Sequence, residues 1–256
     1  MLVDSHAHLQ WKSFEKDRDA VVRRAAKAGV EKIITIGSSL QESRKGVQLA
    51  QKYPNVYATV GIHPHNAKSF DKNSMNELKR MADDPKVVAI GEIGLDYYRY
   101  LSSKQAQQEA FKAQLLLAEE LQLPVVIHDR EAHADVLKTL SEFENRIEGV
   151  MHCFSGSKEM AAQCIAYGFY LSLAGNVTFP KAVGLQEIAV WLELDKMLVE
   201  TDCPWLAPQE IRGKRNEPAF LTYTAEKIAS LKNASLEKVA AATSKNANDI
   251  FTLAQL

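Results

Sequence analysis

Short apolar runs rich in β-branched residues alternate with longer amphipathic stretches from one end of the sequence to the other. Most of these runs are continuously apolar rather than alternating, which is typical of parallel strands buried on both faces. They predict eight strands: Leu2–Ser5, Lys32–Ile36, Val56–Gly61, Val87–Gly91, Val125–His128, Gly149–Cys153, Phe169–Leu173 and Met197–Thr201.

The stretches between these runs predict helices. Lys104–Leu121 has the clearest apolar face, and it stops before Leu123-Pro124. Ser235 is a suitable N-cap for the last helix. The other predicted helices are Phe14–Ala28, Met160–Tyr167, Ala219–Leu231 and Leu236–Phe251.

The strand-helix unit repeats along the whole sequence without a Gly/Ser/Pro-rich linker or a low-complexity segment. This pattern predicts an α/β fold, a single (β/α)8 TIM barrel, as one domain over residues 1–256. A doubly wound open sheet is the alternative. It is less favoured because no glycine-rich phosphate loop follows the first strand.

The charge balance restricts how this chain could bind nucleic acid. Its formal net charge is −1, from 31 basic and 32 acidic residues. No overall positive field is therefore present to hold a long polyanion. We expect any nucleic acid to be bound locally, at an end or through a few phosphates.

Cysteine usage and hydropathy bear on the cellular compartment. The three cysteines include no Cys-x-x-Cys pair, which favours a reducing compartment over a disulfide framework. We see no signal peptide, and no apolar stretch reaches the roughly 20 residues that cross a bilayer. We expect a cytoplasmic protein with no membrane partner, as a monomer or a weak oligomer.

Potential metal ligands stand at the ends of five candidate strands. The C-terminal ends of barrel strands converge on one face, so side chains distant in sequence meet there. A single histidine at a strand end is more often an ordinary loop residue, but the joint pattern predicts a metal site. The candidate ligands are His6 and His8 after strand one, Glu92 after strand four, His128 after strand five, His152 after strand six and Asp202 after strand eight.

Four imidazoles and two carboxylates exceed the needs of one cation, which takes three or four ligands and an open water position. We therefore expect two divalent cations per subunit, with Zn²⁺, Mn²⁺ and Mg²⁺ as the candidate ions. Such a pair can activate a water and stabilise the leaving oxygen of a phosphoryl transfer. The expected division gives one cation His6, His8 and Asp202, the other His128 and His152, and both of them a bridging Glu92.

Three side chains are the candidate catalytic residues. Asp202 is placed to accept a proton from the attacking water. Glu92 holds the two cations together. His63, at the end of strand three, is expected to contact a phosphate oxygen or to protonate the leaving group, with a loop histidine as the alternative.

Basic residues near the same face are candidate phosphate contacts. Arg130 lies two residues beyond His128, and the loop Arg212–Arg215 carries three cations just after strand eight. Ion pairing for Arg130 and a solvated loop are the alternatives. The candidate substrate contacts are His63, His65, Arg130, Arg212, Lys214 and Arg215. Aromatic residues that could stack on bases are Tyr97, Tyr98, Tyr100 and Trp205, with packing over the barrel end as the alternative.

Motifs in a fixed order along nearly the whole chain resemble those of the TatD family of metal-dependent hydrolases. They are Asp4-Ser-His-Ala-His8, Val60-Gly-Ile-His-Pro-His65, Ala89-Ile-Gly-Glu-Ile-Gly-Leu-Asp96, Pro124-Val-Val-Ile-His-Asp-Arg130, His152-Cys-Phe-Ser-Gly156, Leu198-Val-Glu-Thr-Asp-Cys-Pro204 and Arg215-Asn-Glu-Pro218. The resemblance implies a (β/α)8 barrel, a divalent metal centre and deoxyribonuclease activity, as a 3′→5′ exonuclease on single-stranded DNA. DNA ends are thus the implied partner, and the family's ligand positions fall on the six residues above.

Two other functions are compatible with the sequence. Related barrels hydrolyse small esters, lactones or amides, but no lysine stands at a strand end to form a carbamylated bridge, and the basic loop favours phosphate. A noncatalytic metal-binding protein is the third possibility. The open ligand set argues against it, because binding alone favours a closed site.

Overall fold

Eight parallel strands form one sheet in the computed structural model, which describes residues 1–253. The strands are β1 (Leu2–Ala7), β2 (Val30–Thr35), β3 (Val56–Val60), β4 (Val87–Asp96), β5 (Val125–Arg130), β6 (Gly149–Met151), β7 (Phe169–Leu173) and β8 (Met197–Val199). Each strand pairs with the next in chain order. The predicted (β/α)8 barrel is confirmed. The last three residues of the predicted domain, 254–256, lie outside the described part of the chain.

Helices separate successive strands and cover the outside of the sheet. They are α1 (Arg18–Lys27), α2 (Leu40–Lys52), α3 (Lys72–Ala82), α4 (Lys104–Leu121), α5 (His133–Ser141), α6 (Lys158–Ala166), α7 (Val183–Trp191), α8 (Leu221–Leu231) and α9 (Leu236–Ile250). The Ser235 hydroxyl accepts a hydrogen bond from the Lys238 N–H at 3.2 Å, as its N-cap position predicts. The first helix is shorter than predicted, because buried Phe14 belongs to a separate 3-10 turn. None of these helices is long and apolar enough to cross a membrane.

The ring closes where the first strand meets the segment that follows the last. The Asp202 N–H donates to the His6 carbonyl at 2.9 Å, and the His8 N–H donates to the Cys203 carbonyl at 2.9 Å. The fully buried Asp4 carboxylate accepts hydrogen bonds from the N–H and the hydroxyl of Thr201, at 2.9 and 2.7 Å. Burial raises the pKa of Asp4 to about 7 although these hydrogen bonds act in the opposite direction. Closure therefore places the first and last candidate ligands next to each other.

A smaller apolar cluster, separate from the main core, joins the strands to the C-terminal helix. Side chains of this cluster come from seven strands, and the end of α9 adds Ile250 and Phe251 to it. The Ser244 hydroxyl of the same helix donates to the Met1 carbonyl at 2.9 Å, beside the start of β1. Helix α9 thus packs at the N-terminal end of the barrel, which leaves the opposite end open for chemistry.

Strand β4 is longer than predicted, and Glu92 lies inside it rather than after its end. The register of β4 against β5 shifts between Gly91 and Ile93, which is an irregularity of the β-bulge type. Gly94 then pairs with His128, with φ of +139°. A Cβ atom on Gly94 would lie 2.0 Å from the His128 carbonyl oxygen, so only glycine lets the two strands approach this closely. The glycines in this segment mark a close strand contact and not a strand end.

Candidate metal centre

The six candidate ligands come together at the C-terminal end of the barrel. Their nitrogen and oxygen atoms form overlapping clusters in which all donors lie within 4.8 Å of one another. The strands and the segments that follow them supply the side chains, and closure of the ring brings these side chains together. The elements that carry them are β1 for His6, the segment after β1 for His8, β4 for Glu92, β5 for His128, the segment after β6 for His152 and the segment after β8 for Asp202.

One half of the cluster surrounds the two histidines at the start of the chain. The Nε2 atoms of His6 and His8 lie 3.2 Å apart. Glu92 Oε2 lies 3.6 Å from the first of these nitrogens and 3.9 Å from the second. Asp202 Oδ1 lies 3.7 and 3.5 Å from the same two atoms. Two imidazole nitrogens and two carboxylate oxygens thus face a common point.

The other oxygen of Glu92 faces the second half. Its Oε1 atom lies 2.8 Å from His128 Nδ1, 3.2 Å from His152 Nε2 and 3.4 Å from His63 Nε2. The carboxylate of Glu92 is therefore shared between two groups of imidazoles, one on each oxygen. This is the arrangement expected of a bridging ligand between two cations.

The division of donors differs in two respects from the expected one. His63 joins Glu92 and His128 in one compact group, while His152 groups with His6 and Asp202. The rings of His6 and His152 are stacked, with centroids 3.7 Å apart. His152 contacts both halves, because its Nε2 atom lies 3.2 Å from Glu92 Oε1 while its ring stacks on the ring of His6.

The protonation states of His6, His63 and Glu92 fit a bound cation. Burial, and then the nearby His152, holds the pKa of His6 well below its usual range, so its imidazole is neutral and keeps a lone pair. Burial also lowers the pKa of His63 to about 4. For Glu92, burial opposes ionisation, yet His63, His152 and His128 hold its pKa well below the ordinary value.

The buried Nε2 atoms of His6 and His8 point to the same conclusion. They face each other and the carboxylate oxygens of Glu92 and Asp202, so lone pairs are gathered here without enough donors to satisfy them. Buried polar groups are ordinarily paired, and a divalent cation satisfies such a set of lone pairs.

Sequence reasoning missed Glu200. This buried carboxylate places Oε1 2.9 Å from His152 Nδ1 and accepts a hydrogen bond from the Cys153 N–H at 2.8 Å. It holds the ring so that Nε2 faces Glu92, and with Glu92 it raises the pKa of His152 well above the usual range despite burial. A cation at Nε2 would have to displace a proton from that atom, whereas the proton on Nδ1 stays with Glu200. The available signal was its position two residues before Asp202, within the motif Leu198-Val-Glu-Thr-Asp-Cys-Pro204.

Asp96 was also missed, although it ends β4. Its Oδ2 atom lies 2.7 Å from His65 Nε2 and 3.4 Å from His128 Nε2. The predicted substrate contact His65 therefore already has a buried carboxylate partner, and its side chain is partly exposed. Asp96 also accepts hydrogen bonds from the backbone N–H groups of Tyr98 and Arg99, so it fixes the turn beyond the strand.

The predicted phosphate contacts lie in different surroundings. Arg130 is exposed, with its guanidinium 4.1 Å from the centre of the Tyr98 ring. Arg212 is exposed and stacks 4.1 Å from the centre of the Phe179 ring. Lys214 is exposed as well. Their cationic ends are thus accessible at the mouth of the barrel.

Arg215 differs from the other basic residues. Its guanidinium donates to both carboxylate oxygens of Asp17, at 2.8 and 2.7 Å, and to the Ser13 carbonyl at 2.6 Å. Arg24 joins Asp17 to Glu217 on the same patch. This network ties the basic loop to the segment after β1, so Arg215 has a structural role whether or not it contacts substrate.

A cavity of about 990 Å³ extends from the loops after β6, β7 and β8. Its basic lining residues are Lys158, Lys181 and Arg212, against the acidic Glu187. Ser155 and Gly156 line it, and they also line the small pocket that contains His152. A mainly basic groove thus lies beside the segment that carries His152.

Comparison with known proteins gives a consistent result over the whole chain. A family model described as TatD related DNase matches residues 3–252. The uncharacterized metal-dependent hydrolase YabD of Bacillus subtilis (strain 168) is 40% identical over 254 residues, which cover 99% of this chain and 100% of that protein. The 3′-5′ ssDNA/RNA exonuclease TatD of Salmonella typhimurium is 37% identical, with 98% of each chain covered. The crystal structure of the TatD homologue YJJV from Escherichia coli k12 superposes with a TM-score of 0.92 at 29% identity, covering 99% of this chain and 98% of that one.

Proposed function

Because the chain belongs to the TatD-related DNase family, we propose that it is a metal-dependent nuclease that removes nucleotides from the 3′ end of single-stranded DNA. The observation that carries this proposal is the Glu92 carboxylate, whose two oxygens face two separate groups of imidazoles. A shared carboxylate between two open donor sets is suited to phosphodiester hydrolysis. The name of the Salmonella typhimurium relative supports the substrate and the polarity.

We assign the metal ligands to His6, His8, Glu92, His128, His152 and Asp202, for two divalent cations among Zn²⁺, Mn²⁺ and Mg²⁺. When bound, these ions supply the positive charge that activates a water and stabilises the leaving oxygen. The mixed nitrogen and oxygen donor set is compatible with several divalent ions.

The chain's own side chains orient the substrate and move the proton. Asp202 is more exposed than His6 or Glu92, so its carboxylate is the one that reaches the attacking water and accepts its proton. His63 is neutral because of burial, and its Nε2 atom donates to an oxygen of the scissile phosphate. Glu200 keeps His152 in the correct tautomer for this geometry.

The basic groove accommodates the rest of the strand. Arg212 and Lys158 offer cations to phosphates upstream of the cleaved bond, and Phe179 offers an apolar surface beneath Arg212. The small net charge of the chain confines this attraction to the groove. We therefore expect the protein to bind the end of a single DNA strand rather than the length of a duplex.

A 5′-labelled single-stranded oligodeoxynucleotide tests the proposal, with a free or a blocked 3′ end, across Mg²⁺, Mn²⁺ and Zn²⁺. We expect stepwise shortening of the free strand, little cleavage of the blocked strand and none in excess chelator. His128→Ala should abolish the activity. His133→Ala is the matched control, because His133 is half-exposed and belongs to none of the donor clusters. Absence of released nucleotides, or equal activity in the His128→Ala variant, would overturn the proposal.

A further inference from the structure

Two tryptophans stand beside the metal centre, on the segments that follow β1 and β8. The indole rings of Trp11 and Trp205 meet edge to face, with centroids 4.5 Å apart. Both rings contact the imidazole of His8, at centroid distances of 6.1 and 5.1 Å. Their positions at the mouth of the barrel are therefore directly continuous with a proposed ligand.

Backbone turns fix both tryptophans relative to the ligands. The backbone N–H of Trp11 donates to the His8 carbonyl at 3.1 Å, and the backbone N–H of Trp205 donates to the Asp202 carbonyl at 3.0 Å. The Trp205 carbonyl also accepts from the side-chain amide of the buried Asn216 at 2.7 Å. The backbone of each tryptophan is thus fixed three residues after a proposed ligand.

Exposure separates this pair from ordinary core aromatics. Trp11 is 37% exposed and Trp205 is 42% exposed, although His8 beneath them is 3% exposed. More than a third of the surface of each tryptophan is therefore open to solvent beside a buried ligand. Exposed aromatic faces beside a site for phosphate chemistry are typical of surfaces on which bases stack.

We propose that Trp11 and Trp205 form a stacking platform for the nucleobase of the nucleotide at the cleaved 3′ end. The inference rests on the proposed function. Base and phosphate of one nucleotide are joined through a single sugar, so a phosphate at the ligands brings its base to the adjoining indoles. Every base offers a π face, and the platform therefore binds the terminal nucleotide without choosing its sequence.

Tryptophan fluorescence tests the platform directly, because the chain has three tryptophans. The Trp191→Phe variant removes the third one, which lies at the end of α7, and leaves Trp11 and Trp205 as the fluorophores. The probes are two short oligothymidylates with a non-hydrolysable 3′-terminal linkage. One has a normal terminal nucleotide and the other an abasic one, and both are titrated with the divalent ion that supports cleavage. We expect the normal strand to quench the emission and the abasic strand to quench it far less.

Affinity for the two probes, measured by anisotropy of a 5′ label, provides the second readout. We expect wild type and Trp191→Phe to bind the normal strand about ten- to a hundredfold more tightly than the abasic one. In Trp205→Ala and Trp11→Ala this ratio should fall toward one, and Trp205→Phe should restore part of it. If the tryptophans had only a structural role, their replacement would weaken the binding of both probes equally. The ratio of the two affinities would then stay unchanged.

The outcomes also separate this inference from the proposed function. Cleavage of single strands with equal affinity for the normal and abasic probes would overturn the platform alone. Failure to bind or cleave any single strand would overturn the nuclease function and the platform together. Unchanged emission of Trp191→Phe at saturating oligonucleotide would also exclude stacking on the pair.

Discussion

The Nδ1 atom of His152 lies 2.9 Å from Oε1 of Glu200, and both side chains are buried. This contact orients a proposed ligand from behind, so its loss should weaken metal binding rather than remove it. Glu200→Ala is expected to lower metal affinity about 10- to 100-fold. Isothermal titration calorimetry with the activating ion measures this change.

Two further variants calibrate the Glu200 prediction. Glu200→Gln keeps an oxygen that accepts from Nδ1, so its affinity should lie between those of wild type and Glu200→Ala. Glu226→Ala removes an exposed carboxylate from α8 and should leave metal affinity unchanged. Wild-type affinity in Glu200→Ala would show that the contact does not position the ligand.

Replacement of Glu92 tests whether one carboxylate serves two cations. We expect Glu92→Gln to retain at most one tightly bound ion and to lose at least about 10³-fold in nuclease activity, since an amide cannot bridge two cations. Metal content of the purified protein by mass spectrometry, together with the rate of nucleotide release, checks both parts. Two ions per chain in this variant would contradict the bridging role.

Gly94 should be intolerant of any side chain. Gly94→Ala places a methyl group 2.0 Å from the His128 carbonyl oxygen, so β4 and β5 must separate beside a proposed ligand. We expect a loss of about 2–3 kcal/mol in the free energy of unfolding and weaker metal binding. Gly29→Ala is the matched control. Gly29 also has positive φ, +83°, but a Cβ there meets nothing within 4 Å, so it should cost only about 1–2 kcal/mol and leave metal binding intact.

Arg212 should act through phosphate charge. Arg212→Ala is expected to weaken oligonucleotide binding and to lower the slope of log K against log salt by about 0.7, the value for one phosphate contact on a single strand. Arg212→Lys keeps the charge, so it should preserve the slope while losing the contact with Phe179. Binding titrations across salt concentrations measure both, with Lys138→Ala on α5 as the control. An unchanged slope in Arg212→Ala would contradict a phosphate contact.

Asp17 should contribute stability that depends on pH. Its hydrogen bonds to Arg215 and then to Arg24 lower the pKa of its carboxyl from 3.8 to about 2. Because the folded-state pKa is the lower one, this stabilisation is complete above pH 3.8 and is lost as the pH falls through about 2. Asp17→Asn should therefore lower the free energy of unfolding by up to about 1 kcal/mol at neutral pH, and by less near pH 2.

Denaturant unfolding at several pH values measures the Asp17 effect. Asp83→Asn serves as its control, because Asp83 is an exposed carboxyl for which residues 1–253 show no ion pair. The difference between the two variants should shrink in high salt, since Asp17 is partly exposed. An equal loss of stability at neutral and acidic pH would contradict the ion-pair explanation.

Local patterns predicted the strands and the convergence of ligands, and contacts between distant residues account for most of what was missed. Glu200 resembled any residue of an apolar segment, because its partner His152 lies 48 positions away. Arg215 resembled a free cation of a basic loop, although Asp17 is 198 positions distant. Glu92 was expected after a strand that ends at Gly91, yet the chain continues as β4 to Asp96. The periodicity of apolar residues predicts which residues are buried and whether a segment is a strand or a helix. It does not predict the partner of a polar side chain, because that partner comes close only when the ring closes.

The hydrogen bond between the Asp202 N–H and the His6 carbonyl joins residues near opposite ends of the sequence. It can therefore form only late in translation. Translation produces His6 first, and the growing chain carries five of the six proposed ligands before Asp202 is added. Until that residue emerges, the ring cannot close and the last carboxylate is absent. A partly synthesised chain therefore has no complete active site. Hydrolysis begins only once the first strand and the segment after the last strand have joined.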